Sequence, residues 1–288
     1  MHKLKNHSKI TKKLSSCIIC NKKIFSIWAK KDSFVARKCT NCGMISINPR
    51  PSNADVEKFY QGYYIIRQDK QKLWKQREQA YLIDRDFILN FLNKGKILDV
   101  GCSGGHFLST FNSKNWKKFG VEIEQSPADH ARKLGIDVKV GDLTELNFSQ
   151  KFDLVMMRGV IEHFSDPLSI LKKCAQITKI GGYLYITATP VGDSFAFDVF
   201  REKWNQFVPP LHLHFFTVKQ LSKILKKLDF ELVSEHYQYE ETPYANPKND
   251  FNEMKKAIIL SHQNKNNKIK VSPPFPGTMM TAVWKKQK

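Results

Sequence analysis

The sequence predicts an α/β protein built on a doubly wound, mainly parallel sheet of seven strands, preceded by a small cysteine-bearing module. Three observations carry that expectation. A short apolar run, Ile97-Leu98-Asp99-Val100, ends in a turn with glycines at 101, 104 and 105 and continues into a segment able to form a helix. Six further runs of strand character follow it, several of them separated by segments of helical length. Upstream lie two Cys-x-x-Cys pairs, Cys17/Cys20 and Cys39/Cys42.

The 288 residues suffice for one large α/β domain and a small module. No run reaches the length of a membrane helix, so no membrane insertion is expected. Met1-His2-Lys3-Leu4-Lys5-Asn6 carries charge without an apolar stretch behind it, which does not read as a signal peptide; a cytoplasmic protein is expected. The formal charge of +20 is concentrated: residues 1–50 hold 12 Lys or Arg against one Asp. Such a module can be a foot for nucleic acid or another polyanion. It can equally be lysine drift in a chain rich in Lys, Asn and Ile.

Residues 1–16 are polar and lysine-rich and are expected to be a disordered tail. In the module at 17–50 each cysteine pair can place two thiolates around one tetrahedral ion, and the eighteen residues between the pairs fit a hairpin. In a cytoplasmic setting this favours structural zinc on Cys17, Cys20, Cys39 and Cys42 over disulfides. Cys102 and Cys174 read as packing residues. Residues 51–94 are expected as a helical linker or lid. Within it, Leu73, Trp74, Tyr81, Leu82, Phe87, Ile88 and Leu92 recur near helical spacing over 70–94.

From residue 95 the domain proper begins. After the glycine turn a helix is expected to about Lys114, then a second strand over 118–123 and a helix over 129–134. A third strand and its exit cover 138–143, a fourth strand 152–158, and a helix starts at Leu168. The fifth strand is placed at 181–189, and an irregular insertion at about 190–217 contains Trp204, His212 and His214. Thr217 is expected to cap a helix over 219–228. A sixth strand follows at 230–237, then a loop or helical excursion over 241–277, and an antiparallel return at 278–284.

The glycine turn does not match the dinucleotide spacing G-x-G-x-x-G, and no P-loop lysine follows it. Asp99, just before the turn, would repel a pyrophosphate and suits a ligand with an amine and a sulfonium. This turn resembles motif I of the class I S-adenosylmethionine (SAM) methyltransferases. The two cysteine knuckles, Asn48-Pro49-Arg50-Pro51 and the pair Tyr63-Tyr64 resemble a bacterial group of these enzymes with an N-terminal zinc ribbon, often encoded with enzymes of surface-glycan or secondary-metabolite synthesis. The resemblance spans Cys17 to Trp284 and implies a Rossmann-like methyltransferase sheet.

It implies that Asp99, Gly101, Cys102 and Gly104 shape the methionine end of the SAM site and that Glu122, with Glu124 as rival, accepts the ribose hydroxyls. Asp142, with Leu143 beside it, would meet the adenine. The segment Glu162-His163-Phe164-Ser165-Asp166-Pro167 resembles the family's Glu-His-x-x-Asp-Pro after strand four. It puts His163 near methyl transfer, as a general base or as an anchor of the loop. Some quinone O-methyltransferases hold a divalent metal with a comparable Glu and His and a further upstream Glu, a position that is Gly159 here. His212, His214 and Trp204 are acceptor-pocket candidates, and Tyr63-Tyr64 a lid or a seam between modules. The expected activity is methylation, at oxygen, of a sugar, glycan precursor or other small metabolite. The alternative is an RNA methyltransferase docking through the basic ribbon, and a non-enzymatic SAM sensor is a third reading. The oligomeric state is left open.

Overall fold

The structure, a computed structural model, describes residues 10–51 and 71–288. Tyr63-Tyr64 and residues 1–9 lie outside the described residues. The elements run β1 (Ile10–Lys12), β2 (Phe25–Lys31), β3 (Phe34–Cys39), β4 (Ile45–Ile47), β5 (Arg50–Pro51), α1 (Gln71–Leu89) and β6 (Gly95–Val100). They continue with α2 (His106–Ser109), β7 (Trp116–Glu122), α3 (Gln125–Lys133), β8 (Asp137–Val140), β9 (Phe152–Arg158), a 3₁₀ turn Ile161–His163, and α4 (Pro167–Ile177). Last come β10 (Thr178–Pro190), α5 (Phe195–Phe200), β11 (His214–Phe215), α6 (Val218–Lys226), β12 (Phe230–His236), α7 (Pro247–His262) and β13 (Met279–Lys286).

Seven strands form one sheet in the order β12-β13-β10-β9-β6-β7-β8. β13 runs antiparallel to both of its neighbours, and the pairs from β10 through β8 are parallel. The strand order reverses between β6 and β9, which opens a crevice at the carboxyl ends of those strands. Successive side chains go to opposite faces. Leu98, Val155, Leu184, Ala282 and Trp284 pack beneath α4 and α6. Ile97, Leu154, Met156, Tyr185 and Val283 pack beneath α1, α2 and α3.

Helix starts follow local chemistry. Asp166 caps α4 ahead of Pro167, Asn246 caps α7 ahead of Pro247, and Thr217 with Gln220 forms a reciprocal capping box on α6. The helix expected to reach Lys114 stops at Ser109. The Ser109 and Thr110 hydroxyls donate back to the carbonyls of His106 and Phe107, and Asn112 Oδ1 accepts from the Lys114 amide, drawing the chain into a turn. The excursion at 241–277 contains the 16-residue helix α7, whose Met254 and Ala257 are buried.

The N-terminal part departs most from expectation. From Ile10 the tail is ordered: β1 pairs with β5, and Asn48 exchanges side-chain hydrogen bonds with the backbone of Leu14. The expected hairpin exists as β2–β3, but it does not close a module of its own. β4 adds to β3, and β11, from the insertion at 190–217, adds to β4. Phe34, Ala36, Ile45 and Ile47 share a core with Phe197, Trp204, Phe207, Phe215 and Met254. Trp204, expected in an acceptor pocket, is 1% exposed and stacks on Phe197 at 4.3 Å. It is a core residue, because the ribbon's apolar face needs a cover that the ribbon alone is too small to supply.

Close packing at the centre of the sheet gives a testable consequence. A Cβ on Gly120 would lie 2.5 Å from Cys102 Sγ. Gly120→Ala is expected to destabilise the chain by about 1–3 kcal/mol in urea unfolding. Adding Cys102→Ala should return much of the loss; strictly additive effects would show that this contact is not the cause.

Candidate functional site

The turn after β6 is held from three sides. Gly101 sits at φ +77°, in the left-handed region, and a Cβ there would press to 2.9 Å on Val160. The amides of Gly101 and Cys102 donate to the Val121 carbonyl, and the His130 ring donates from Nδ1 to the Gly104 carbonyl at 2.8 Å. At the exit of β7 the Glu122 carboxylate accepts from the amides of Ser103, Ile123 and Glu124 at 2.8, 2.8 and 3.2 Å. That ties the glycine turn to the second strand. Burial pushes the Glu122 carboxyl up, against the pull of those three amides.

Asp99 is 2% exposed, and its Oδ1 has no hydrogen-bond partner. Burial drives its carboxyl well above the usual range, with the Arg158 guanidinium opposing and Glu122 reinforcing the shift. A buried carboxylate oxygen left without a partner is costly, and a cationic ligand group is what would satisfy it. Asp99 lines a cleft together with Gly101, Ser103, Gly104, Gly159 and Val160. Trp74, Arg77 and Tyr81 of α1 supply the opposite wall. Trp74 stands edge-on to His106 at 4.3 Å, and burial beside His130 lowers His106 to about 4, so the His106 ring is neutral at pH 7.

A buried network that sequence reasoning missed fastens α1 to the sheet at this cleft. Arg158 Nε donates to Asp84 Oδ2 at 2.7 Å, and Asp84 is 1% exposed. Thr187 donates to Asp84 Oδ1, accepts from Thr281, and the Tyr185 hydroxyl donates to the Asp84 carbonyl. The Arg158 guanidinium also lies 4.5 Å over the Tyr81 ring. The one signal available was an acid within the apolar periodicity of α1 and a base at the end of an apolar strand.

The other expected residues separate clearly. Cys102 and Leu143 are buried, and burial pushes the Cys102 thiol up, marking it as a packing residue that also reaches the cleft. Asp142 is exposed after β8, and its Oδ1 accepts from the Thr144 amide and hydroxyl. His214, expected as a catalytic candidate, is fully buried with both ring nitrogens engaged, by Ser46 at 2.9 Å and by Arg50 at 2.8 Å. Burial, with Arg50 adding to it, keeps His214 well below the usual imidazole range. It therefore ties the ribbon to the domain and has no nitrogen left for a substrate.

His163 and His212 come together instead. Their rings are 4.9 Å apart in an edge-to-face arrangement, and His163 Nε2 lies 3.9 Å from Glu162 Oε1. His163 Nδ1 meets the Leu211 carbonyl at 2.9 Å and His212 Nδ1 meets the Gln206 carbonyl at 2.7 Å. A carbonyl only accepts, so in each ring Nδ1 carries the proton and Nε2 the lone pair. Burial raises Glu162 to about 8 and, with His163 nearby, lowers His212 to about 3. This group adjoins the cleft through Gly159, whose missing Cβ would stand 3.9 Å from Glu162 Oε1.

The four knuckle sulfurs lie within 4.8 Å of one another, with Cys17–Cys42 at 3.4 Å and Cys20–Cys39 at 3.6 Å. Those separations are far beyond the roughly 2.05 Å of a disulfide. They are close to the edge, about 3.8 Å, of a tetrahedron with zinc–sulfur bonds of about 2.3 Å. The donor set fits a zinc ion.

The family model described as a methyltransferase domain matches residues 73–235, more than half of the chain. The chain belongs to this methyltransferase family. The ubiquinone biosynthesis O-methyltransferase of Histophilus somni is 29% identical over 110 residues, 34% of this chain and 46% of that protein, so the chain spans less than half the length of that relative. Among solved structures, magnesium protoporphyrin IX methyltransferase from Synechocystis, solved with bound SAH, shares 12% identity with a TM-score of 0.56, covering 82% of this chain and all of that one. A SAM-dependent methyltransferase from Thermotoga maritima shares 18% identity with a TM-score of 0.52, covering 79% and 99%. At such identities the likeness is one of fold. The chain is a SAM-dependent methyltransferase, and among its described residues no helix is long and apolar enough to cross a membrane.

The buried pair Asp84–Arg158 should be a strong determinant of the cleft's shape. Asp84→Ala leaves a largely buried guanidinium uncompensated and is expected to cost about 3 kcal/mol. Thermal unfolding of the variant against wild type measures it, and a loss below about 1 kcal/mol would contradict the network's role.

Proposed function

We propose that this methyltransferase methylates a hydroxyl oxygen of a sugar, glycan precursor or other small metabolite, and that a structural zinc ion closes its cysteine knuckle. The observation that carries the reading is the buried group Glu162, His163 and His212 set beside Gly159 of the cofactor cleft. SAM, once bound, supplies a methyl group on a sulfonium that is already a good leaving group. What the chain must add is alignment and a place for the acceptor's proton.

Asp99 takes the ligand's amino group with its unpartnered oxygen, and the backbone of Gly101, Cys102 and Gly104 shapes the same end. Glu122, held rigid by three amides, accepts the ribose hydroxyls with its remaining lone pairs. Asp142 and Leu143 flank the adenine end. At the acceptor, His163 presents its Nε2 lone pair to the hydroxyl, with Glu162 and His212 shaping the same wall. The O-methyltransferase named among the relatives supports oxygen as the methylated atom.

The RNA reading has fewer cations to draw on than the charge of the module suggests. Arg50 is buried, Arg37 donates to the Asn48 carbonyl, Lys31 to the Phe207 carbonyl, and Lys38 sits over the Trp28 ring. These four cations of the ribbon are engaged within the chain, while Lys13, Lys22, Lys23 and Lys30 are exposed.

Two measurements test the proposal. Glu122→Ala is expected to abolish measurable SAM binding by calorimetry while the zinc content stays at the wild-type level; wild-type affinity would overturn the cofactor assignment. Transfer from labelled SAM into fractionated cell extract should label small metabolites or glycan precursors. Label confined to RNA would replace the acceptor class.

A further inference from the structure

The group formed by Glu162, His163 and His212 has the chemistry of a cation site separate from the cysteine knuckle. One ligand atom of each residue, a carboxylate oxygen and two imidazole nitrogens, lies within 4.8 Å of the other two. Glu162 is 1% exposed and His212 9%, so two of the three donors sit out of water. Each imidazole is oriented by a hydrogen bond from Nδ1 to a backbone carbonyl, Leu211 for His163 and Gln206 for His212. That is the outer-shell arrangement that fixes tautomer and ring angle in histidines whose Nε2 binds a metal. Thr189 donates to Glu162 Oε2 at 3.4 Å and steadies the carboxylate from behind.

The backbone supports the same geometry. Glu162 and His163 occupy the 3₁₀ turn after β9, and His212 immediately precedes Leu213, whose amide donates to the Glu162 carbonyl at 2.9 Å. The third donor, His212, comes from the insertion, nearly fifty residues further along the chain.

We propose that Glu162, His163 and His212 bind a first-row divalent transition cation at the acceptor side of the cleft. A carboxylate with two imidazoles suits ions such as Zn²⁺, Fe²⁺ or Co²⁺. Among the described residues three protein donors face the ion, so the fitting acceptor carries two neighbouring oxygens, as a vicinal diol, a catechol or a hydroxy acid does. When bound, the cation supplies Lewis acidity toward those oxygens. The inference rests on the acceptor site proposed above and refines it: with the cation present, His163 Nε2 would serve as a ligand, and a coordinated hydroxyl, its pKa lowered, would release its proton to water rather than to a side-chain base.

The test is metal stoichiometry on the full chain, equilibrated with Zn²⁺ or Co²⁺ and freed of loose ions. Wild type should hold about two ions per chain, and Glu162→Gln and His212→Gln about one, with the intense thiolate bands of Co²⁺ at the knuckle retained and SAM affinity within about twofold. In wild-type Co²⁺ protein, two paramagnetically shifted exchangeable ring protons should appear in proton NMR, from the Nδ1–H groups of His163 and His212. That measurement needs no variant to fold. A single ion per wild-type chain, variants that keep the second ion, or the absence of both shifted ring protons would each overturn the cation site. None of these readouts depends on methyl transfer, so a wrong acceptor class would show only in the labelling experiment.

Discussion

The wall that carries Glu162, His163 and His212 depends on one pairing, that of β4 with β11, which joins segments some 168 residues apart. The ribbon by itself offers a short hairpin and one apolar face. The insertion by itself offers two residues of strand and several large aromatics. Neither has enough buried surface to hold its shape alone, and together they close a four-stranded sheet over a shared core. The buried tie Ser46–His214–Arg50 then locks the register. Two residues before His214 the same segment places His212 against the turn that carries Glu162 and His163. The cysteine knuckle thus acts on that wall at a distance, through the strands it anchors.

The cofactor side is set by topology. Reversal of strand order between β6 and β9 leaves a crevice no crossover can fill, and the glycine turn brings backbone to its edge. Its carboxyl groups are positioned before any ligand arrives. Glu122 is held by three amides, and Asp99 is held without a hydrogen bond to one of its oxygens. The Asp84–Arg158 network pins α1 across the mouth, so the wall bearing Trp74, Arg77 and Tyr81 is part of the sheet's own bonding pattern. Side chains ordered in the free protein need less ordering when they bind.

Much of this was legible in the residues. The seven strands and their order along the chain follow from short apolar runs, and Asp99, Glu122 and Asp142 fall at the exits of three successive strands as their spacing suggests. The caps at Asp166 and Thr217 are local and read directly. The errors have a common cause. Trp204 and His214 sit with His212 in one irregular stretch with no period to orient them, so a core residue and a structural tie look like site residues. The tail from Ile10 looked disordered because the strand it pairs with, Arg50–Pro51, is two residues long and begins at a charged residue.

The sequence by itself determined the sheet, the glycine turn, the acidic series and the four thiols of the knuckle. These depend on residue type and on spacing within a few turns or strands, which the chain carries locally. Only the tertiary structure decided which histidines meet. His163 and His212 are separated by α4, β10, α5 and an irregular stretch, and what brings them together is the burial of aromatic surface from the ribbon and the insertion against each other. That burial has no local signature, because it is a property of two surfaces and not of either segment.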